Sequence, residues 1–377
     1  MRHLFFIVFA FSMVCYSCSS NAPHASNADE TAIKVGVFDG HGGAQTCVWE
    51  AVESIKIDKG MVVKRIATSD IANGCLDSLD AIIIPGGGGS RQYLNLGHGN
   101  QQRIRSFVAQ GGGAVGICAG AYLFSNTPNY ACLAMNGAQA IDIEHDNRGH
   151  GLAKFTLTDE GKNLFPELAS LDTNFVVYYE GPVFIDAPDS LTYTSFATME
   201  SDVHEEGNAP SNMTNAKPFF IGNRYGKGRI FSSIAHPEAT PGMRWLIPRM
   251  VRWTLNKELV GYNQNAVRPT ILGKEILFSK EMLKRESKCY STFLYGSPEE
   301  KVEALNWLET NVSWDAKRWV QGLLYDSSAV VRARVAEYIS NSEFTHYLPD
   351  LRAALKQEIN ENTKIKLKSS IQILEGI

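Results

Sequence analysis

The sequence predicts an α/β fold, a mostly parallel sheet flanked by helices, followed by a small all-α C-terminal region. Three observations carry this expectation. Strand-like and helix-like segments alternate between residues 33 and 117, and strands end in glycine-rich turns. The run Ala81–Ile84 is continuously apolar, as a strand covered on both faces must be. Alternation of this kind implies right-handed crossovers between parallel neighbours.

In chain order, Ile33–Phe38 reads as a strand closed by Asp39-Gly40-His41-Gly42-Gly43, and Gln45–Ile55 as a helix. Strands are expected at Met61–Ile66 and Ala81–Ile84, the latter stopping at Pro85-Gly86-Gly87-Gly88-Gly89. A helix over Asn100–Gln110 leads into a strand over Ala114–Ile117. β-rich segments follow at Phe175–Tyr179, Leu191–Phe196, Phe219–Ile221 and Arg229–Ala235, with 199–217 expected as an exposed polar loop. A helix over Met243–Asn256, with Trp245, Val251 and Trp253 as packing residues, closes an α/β domain placed at 32–258. Residues 259–296 read as a linker. Residues 297–377 read as short amphipathic helices, apolar at Val331, Val335 and Ile339 and again at Ile365, Leu367, Ile371 and Leu374. That spacing suggests a few HEAT-like repeats, or a plain bundle, serving packing and interaction with an envelope partner protein rather than catalysis.

The 377 residues leave room for two or three domains. Lys and Arg number 36 against 40 Asp and Glu, so the chain carries no electrostatic footprint for nucleic acid. At the N-terminus Arg2 and His3 precede an apolar run from Leu4 to Phe11, continued by Met13 and Val14, which reads as a secretory signal. It ends in Cys15-Tyr16-Ser17-Cys18 and resembles a lipoprotein signal over residues 1–18, with Cys18 lipidated and a polar tether over 19–31. An ordinary cleaved signal ending near Ser20 is the alternative. Either implies export, and the first implies a lipoprotein facing the periplasm or cell surface, held on the membrane by its lipid.

Outside that signal lie Cys47, Cys75, Cys118, Cys132 and Cys289, an odd number, so at least one thiol is unpaired within the chain. Cys47 and Cys75 form a possible pair. No Cys-x-x-Cys or His/Cys spacing suggests a zinc site, so no metal or cofactor is expected.

The chemistry concentrates at Gly116-Ile117-Cys118-Ala119-Gly120, between an apolar strand and a helical run. Flanking glycines let the chain turn sharply and present sulfur above the sheet. A helix N-terminus favours thiolate. After the strand at 229–235 comes His236-Pro237-Glu238. In a parallel sheet that position shares a rim with the elbow, so His236 is the candidate base and Glu238 its orienting carboxylate. Backbone N–H groups of Gly87, or its neighbours Gly86 and Gly88, and of Ala119 are candidate oxyanion donors. Asp39, Gly86, Gly120 and Tyr179 are weaker pocket candidates, with His41, Tyr178 and Glu180 nearby in sequence. The polar group Asp142, Glu144, His145, Asp146 and His150 is read as a solvated loop.

Cysteine elbow, Pro-Gly-Gly turn and His-Pro-Glu, in that order, resemble the class I glutamine-amidotransferase superfamily. The runs Val35-Gly-Val-Phe-Asp-Gly, Ile84-Pro-Gly-Gly-Gly, Gly116-Ile-Cys-Ala-Gly-Ala-Tyr and Tyr178-Tyr-Glu-Gly-Pro-Val-Phe more narrowly resemble the amidotransferase-like domain at the N-terminus of biotin–protein ligases, over about 33–256. The resemblance implies the class I amidotransferase-like fold and a Cys–His–Glu site. It does not carry over ligase activity, because Tyr225-Gly-Lys-Gly-Arg229 is a turn into a strand and not an adenylate-binding loop. Two functions follow as expectations: a thiol-dependent amide hydrolase or acyl transferase, or a non-catalytic module binding a ligand or partner.

Overall fold

The fold is described from a computed structural model covering residues 32–142, 149–188, 191–205 and 210–377. The expected signal (1–18), Cys18, the tether (19–31) and Glu144, His145 and Asp146 lie outside these residues.

Four strands follow in chain order with helices between them: β1 (Ile33–Phe38), α1 (Gln45–Ile55), β2 (Met61–Ile66), α2 (Thr68–Ala72), β3 (Ala81–Ile84), α3 (Gly89–Ala109), β4 (Gly113–Ile117) and α4 (Ala119–Phe124). The chain continues through β5 (Ala138–Ala140), β6 (His150–Leu157), α5 (Asp159–Leu164), β7 (Asn174–Tyr179), β8 (Phe184–Asp186), β9 (Thr194–Met199), β10 (Pro218–Tyr225), β11 (Gly228–Ser233) and α6 (Leu246–Thr254). Then come β12 (Ile276–Leu277), α7 (Lys280–Tyr295), α8 (Pro298–Thr310), α9 (Val320–Leu323), α10 (Ala329–Asn341), α11 (Leu348–Gln357) and α12 (Glu361–Glu375).

The main sheet has the order β12-β6-β9-β10-β11-β4-β3-β1-β2, with β7 on the other edge of β6. Its β2-β1-β3-β4-β11 half is parallel, and the remaining pairs are antiparallel. The two halves meet at β11, which runs parallel to β4 and antiparallel to β10. The apolar β3 is buried along its whole length, as its composition requires.

Several expectations need correction. The helix expected at Asn100–Gln110 begins at Gly89 and breaks at Gly97, where φ is +66°. Glycines at 97 and 99 erase the helical signal of its first half. The linker assigned to 259–296 is not a bare connector. It supplies β12, which pairs Ile276 and Leu277 with Leu152 and Gly151, and α7, capped by the Ser279 hydroxyl accepting from the Met282 N–H. The 199–217 loop is not uniformly exposed, since Ser201, Val203 and Thr214 are buried and the Val203 N–H donates to Thr214 Oγ1 (2.8 Å). Ile365, assigned to the apolar face of its helix, is exposed, whereas Leu367, Ile371 and Leu374 are buried with Val331, Val335 and Ile339 in the C-terminal core.

Ile33–Ile377 packs as one unit. Buried Glu343, beyond α10, accepts from the Gly242 N–H (2.9 Å) and pairs with Arg268. Together with β12 this fixes the C-terminal helices onto the α/β half. No helix among the described residues is long and apolar enough to cross a membrane.

Gly120 shows how tightly the elbow helix sits. A Cβ there would lie 2.0 Å from the Ile84 carbonyl oxygen, against backbone that cannot yield. Gly120→Ala is expected to cost about 1–3 kcal/mol by overpacking, read as a lower urea midpoint with unchanged slope.

Candidate functional site

Strand β4 ends at Ile117, and the chain turns through Cys118 at φ 51°, ψ −106° into α4. This is a left-handed conformation that costs a non-glycine residue about 1–3 kcal/mol and is held only by its surroundings. The Cys118 N–H donates to the Ser233 carbonyl at the end of neighbouring β11 (2.8 Å), which brings the next turn to the same rim.

That turn holds His236, Pro237 and Glu238. The His236 N–H donates to the Val177 carbonyl (2.8 Å), and the Thr240 hydroxyl donates to the His236 carbonyl (2.8 Å) while accepting from the Val177 N–H (2.9 Å). The turn is thereby stitched to β7. His236 Nδ1 lies 2.7 Å from Glu238 Oε1, with both side chains buried. Burial alone would lower the His236 pKa. The Glu238 carboxylate, then the Cys118 and Cys47 side chains against the imidazole, outweigh it and raise that pKa well above the usual value. The site thus favours the protonated form of the imidazole beside the Glu238 carboxylate.

Cys118, only 7% exposed, directs its sulfur to the Tyr179 carbonyl oxygen (3.5 Å). It opens onto a cavity of about 470 Å³ lined also by Gly87, Ala119, Tyr179, Glu180 and His236. The N–H groups of Gly87 and Ala119 make no hydrogen bond within the described fold, whereas the Gly88 N–H donates to the Gly42 carbonyl (2.8 Å). Gly88 is therefore not free to serve as an oxyanion donor.

The weaker candidates divide. Tyr179 lines the cavity. Asp39 instead accepts from Gln45 Nε2 (3.4 Å) and faces Arg65, and His41 is exposed; neither lines the cavity. Gly86 and Gly120 act through close packing. A Cβ on Gly86 would meet His236 Cε1 at 2.7 Å and Cys47 Sγ at 2.9 Å. Tyr178 is a core residue whose hydroxyl donates to the Gly181 carbonyl (2.6 Å).

Several residues of the site are not announced by the sequence. Asp142, assigned to a solvated loop, is buried at the cavity wall, accepting from the Tyr122 hydroxyl and from the Val183 N–H (2.8 Å). Burial followed by the Asp142 charge pushes the Tyr122 pKa well up, so its hydroxyl stays a donor. Cys47 and Cys75 are free thiols and not a pair; buried Cys47 faces the site. The C-terminal helical region also enters the site. Trp314, just past α8, covers His236 (ring centroids 4.4 Å apart) and leans on Tyr179 (5.4 Å). Lys317 Nζ caps the indole at 3.8 Å, and Arg318 joins the cavity lining. Trp314 also walls a larger cleft of about 1030 Å³ along the seam between the two halves. Trp314→Phe is expected to raise the labelling rate of Cys118 by a bulky maleimide relative to iodoacetamide. An unchanged ratio would show that the indole does not limit entry.

These features set the chain among known proteins. Residues 33–250 match the family described as "Biotin-protein ligase, N terminal". No curated protein matches the chain. Among solved structures, it is similar to a ThuA-like protein from Bacteroides uniformis (14% identity, 61% of this chain and 94% of that one, TM-score 0.42). It is also similar to the CTPS glutaminase domain of Trypanosoma brucei with bound acivicin (10% identity, 63% and 100% covered, TM-score 0.40). With more than half of its length matched, the chain belongs to the biotin-protein ligase N-terminal family.

Proposed function

We propose that this protein is a thiol-dependent amide hydrolase or acyl transferase of the cell envelope, with Cys118 as nucleophile, His236 as base and Glu238 as its orienting carboxylate. The observation that carries this is the buried His236–Glu238 contact at 2.7 Å, with Cys118 lining the same cavity as that imidazole. Glu238 accepts from Nδ1–H, and Nε2 carries the proton given up by Cys118, so the reacting pair is a thiolate beside an imidazolium. The thiolate then attacks the substrate carbonyl carbon, and the oxyanion formed is met by the free N–H groups of Gly87 and Ala119. Collapse breaks the C–N bond, the imidazolium returns its proton to the leaving amine, and a thioester remains on Cys118. Water or an acceptor amine attacks the thioester with His236 again as base, which regenerates the thiol.

The test is a panel of primary amides and p-nitroanilides, with intact-mass detection of a thioester on Cys118. An adduct absent in Cys118→Ser supports the proposal. If no amide turns over and Cys118 alkylates no faster than half-buried Cys75, the enzyme reading fails. The depth of the site favours the competing reading, a non-catalytic binding module. Cys118 and His236 are 7% and 1% exposed, so a substrate has to displace part of the roof that Trp314 forms. Envelope placement rests on the N-terminal signal pattern and Cys18. It predicts that Cys18→Ala moves the protein out of the membrane fraction, and an unchanged distribution would refute it.

A further inference from the structure

Lys317, in the helical turn between α8 and α9, has no part in the amide chemistry above. The residue is only 2% exposed, yet it lines the cleft of about 1030 Å³ along the seam between the two halves. Its ammonium makes no hydrogen bond or ion pair with another described residue, and its contact is with the Trp314 indole, 3.8 Å away. A cation–π contact offsets only part of what burying a charge costs. Buried Glu50 does not serve it, being shared between Arg244 and His346 at 3.5 Å each. The rest of the lining repeats the imbalance. Arg268, Lys274, Lys317 and Arg334 face one side-chain carboxylate, Glu309. Both guanidinium groups are engaged, Arg334 with Glu309 and Asn306 and Arg268 with Glu343, which leaves the two lysines without a counter-charge. Beside them the wall is apolar: Leu152, Val177 and Ile276 belong to the same buried cluster as Trp314.

We propose that this cleft binds a small amphipathic carboxylate, one anionic head on an apolar chain, with the head on Lys317 Nζ and the chain along Trp314, Leu152, Val177 and Ile276. Three features set that class. The volume is that of a small-molecule site. A single buried ammonium without a partner matches a single negative charge. A phosphate dianion calls for a guanidinium fork or several convergent donors, and both forks here are held by Glu309 and Glu343. The apolar wall selects against a hydroxylated ligand, whose polar groups would lose water and find no partners along it. Away from bulk water the carboxylate–ammonium attraction is strong, and the bound head supplies the charge that the fold leaves out. Sequence spacing conceals the site, because its wall comes from β6, β7, β12 and the helical region. The proposal does not depend on turnover at Cys118, with which this cleft shares the Trp314 wall.

The experiment titrates the protein calorimetrically with octanoate, octanol and octyl phosphate at about pH 7. The expected result is one octanoate per chain, bound at least about tenfold more tightly than octanol. Lys317→Met keeps an apolar stem against the indole and removes the charge. It should erase that preference by weakening octanoate alone, and retained octanol binding shows that the cleft is intact. Octanoate should also shift the tryptophan emission of the unaltered protein and leave that of Trp314→Phe unchanged. Equal affinity for octanoate and octanol in the unaltered protein, or a preference that survives in Lys317→Met, overturns the proposal. An emission change that persists in Trp314→Phe puts the ligand elsewhere and overturns it too. Octyl phosphate binding more tightly than octanoate overturns the assignment of a carboxylate. No readout needs turnover, so failure here leaves the hydrolase proposal standing or falling by its own test.

Discussion

Replacing His236 with alanine is expected to slow iodoacetamide labelling of Cys118 by at least tenfold at about pH 5.5, with a much smaller change at about pH 9. The asymmetry follows from how thiol reactivity divides. The thiolate reacts, but a thiolate stabilised by a cation is also a weaker nucleophile, with a Brønsted slope of about 0.4–0.5. Near or above neutrality the two effects largely cancel, so a single rate at pH 7 discriminates poorly. In acid an unassisted thiol is almost wholly protonated, and only one paired with an imidazolium keeps reacting. The charge balance at His236 favours that pairing, since Glu238 and the two cysteines together overcome burial and raise its pKa. The wild-type profile should therefore stay flat into mildly acidic pH, and that of His236→Ala should fall with each unit of acid. Parallel profiles would remove His236 as the activating base. Glu238→Gln provides a graded case: it keeps a hydrogen-bonding partner at Nδ1 but withdraws the charge, so its acid limb should lie between the other two. Circular dichroism of each variant guards against reading a misfolded site as an inactive one.

The part of this site legible in sequence is the part built by local rules. Cys118 is announced by glycines two residues to either side, and His236 by a strand ending just before it. Both lie past the carboxyl ends of parallel strands, so one rule about sheet rims brings them together. The same rule placed Asp39 near the rim, but its side chain turns to Gln45 and Arg65. What stayed hidden depends on contacts between distant segments. Trp314 lies in a stretch of helical pattern whose spacing says only that it packs, and nothing there indicates that it packs on His236. The strand β12 is two residues long, too short for any alternation to register, and β6 defines it as a strand. Asp142 sits among charged residues typical of a solvated loop, and only its bonds to Tyr122 and Val183 reveal a buried carboxylate. Cys47 looks like half of a disulfide until the fold sets Cys75 elsewhere.

Acid should weaken the fold through His150, one layer behind the site. Its ring is stacked against Tyr179 (4.9 Å) and Phe278 (4.5 Å), and its Nε2 is buried without a partner. Burial drives its pKa down to about 4, against the opposing pull of Asp315. The folded state therefore holds His150 neutral where the unfolded chain, with a pKa of about 6.5, already binds a proton. Stability from this group is fully present above about pH 6.5 and is lost as pH falls to about 4, a difference of about 3 kcal/mol. His236 has the opposite sign. Its raised pKa makes its contribution complete below about pH 6.5 and lost only as pH rises through the folded value, so it stays constant across the same window. His150→Phe keeps an aromatic ring in the stack and removes the titration. Urea unfolding of both proteins at about pH 7 and about pH 4 should show wild type losing about 3 kcal/mol more than the variant, while carboxylate effects common to both cancel in the comparison. Equal losses would mean that His150 reaches water, or finds a partner, once charged. Because Tyr179 carries the carbonyl that receives the Cys118 thiol and forms part of the cavity wall, the same acid window should also loosen the site, raising the access of bulky reagents to Cys118 in wild type and not in His150→Phe.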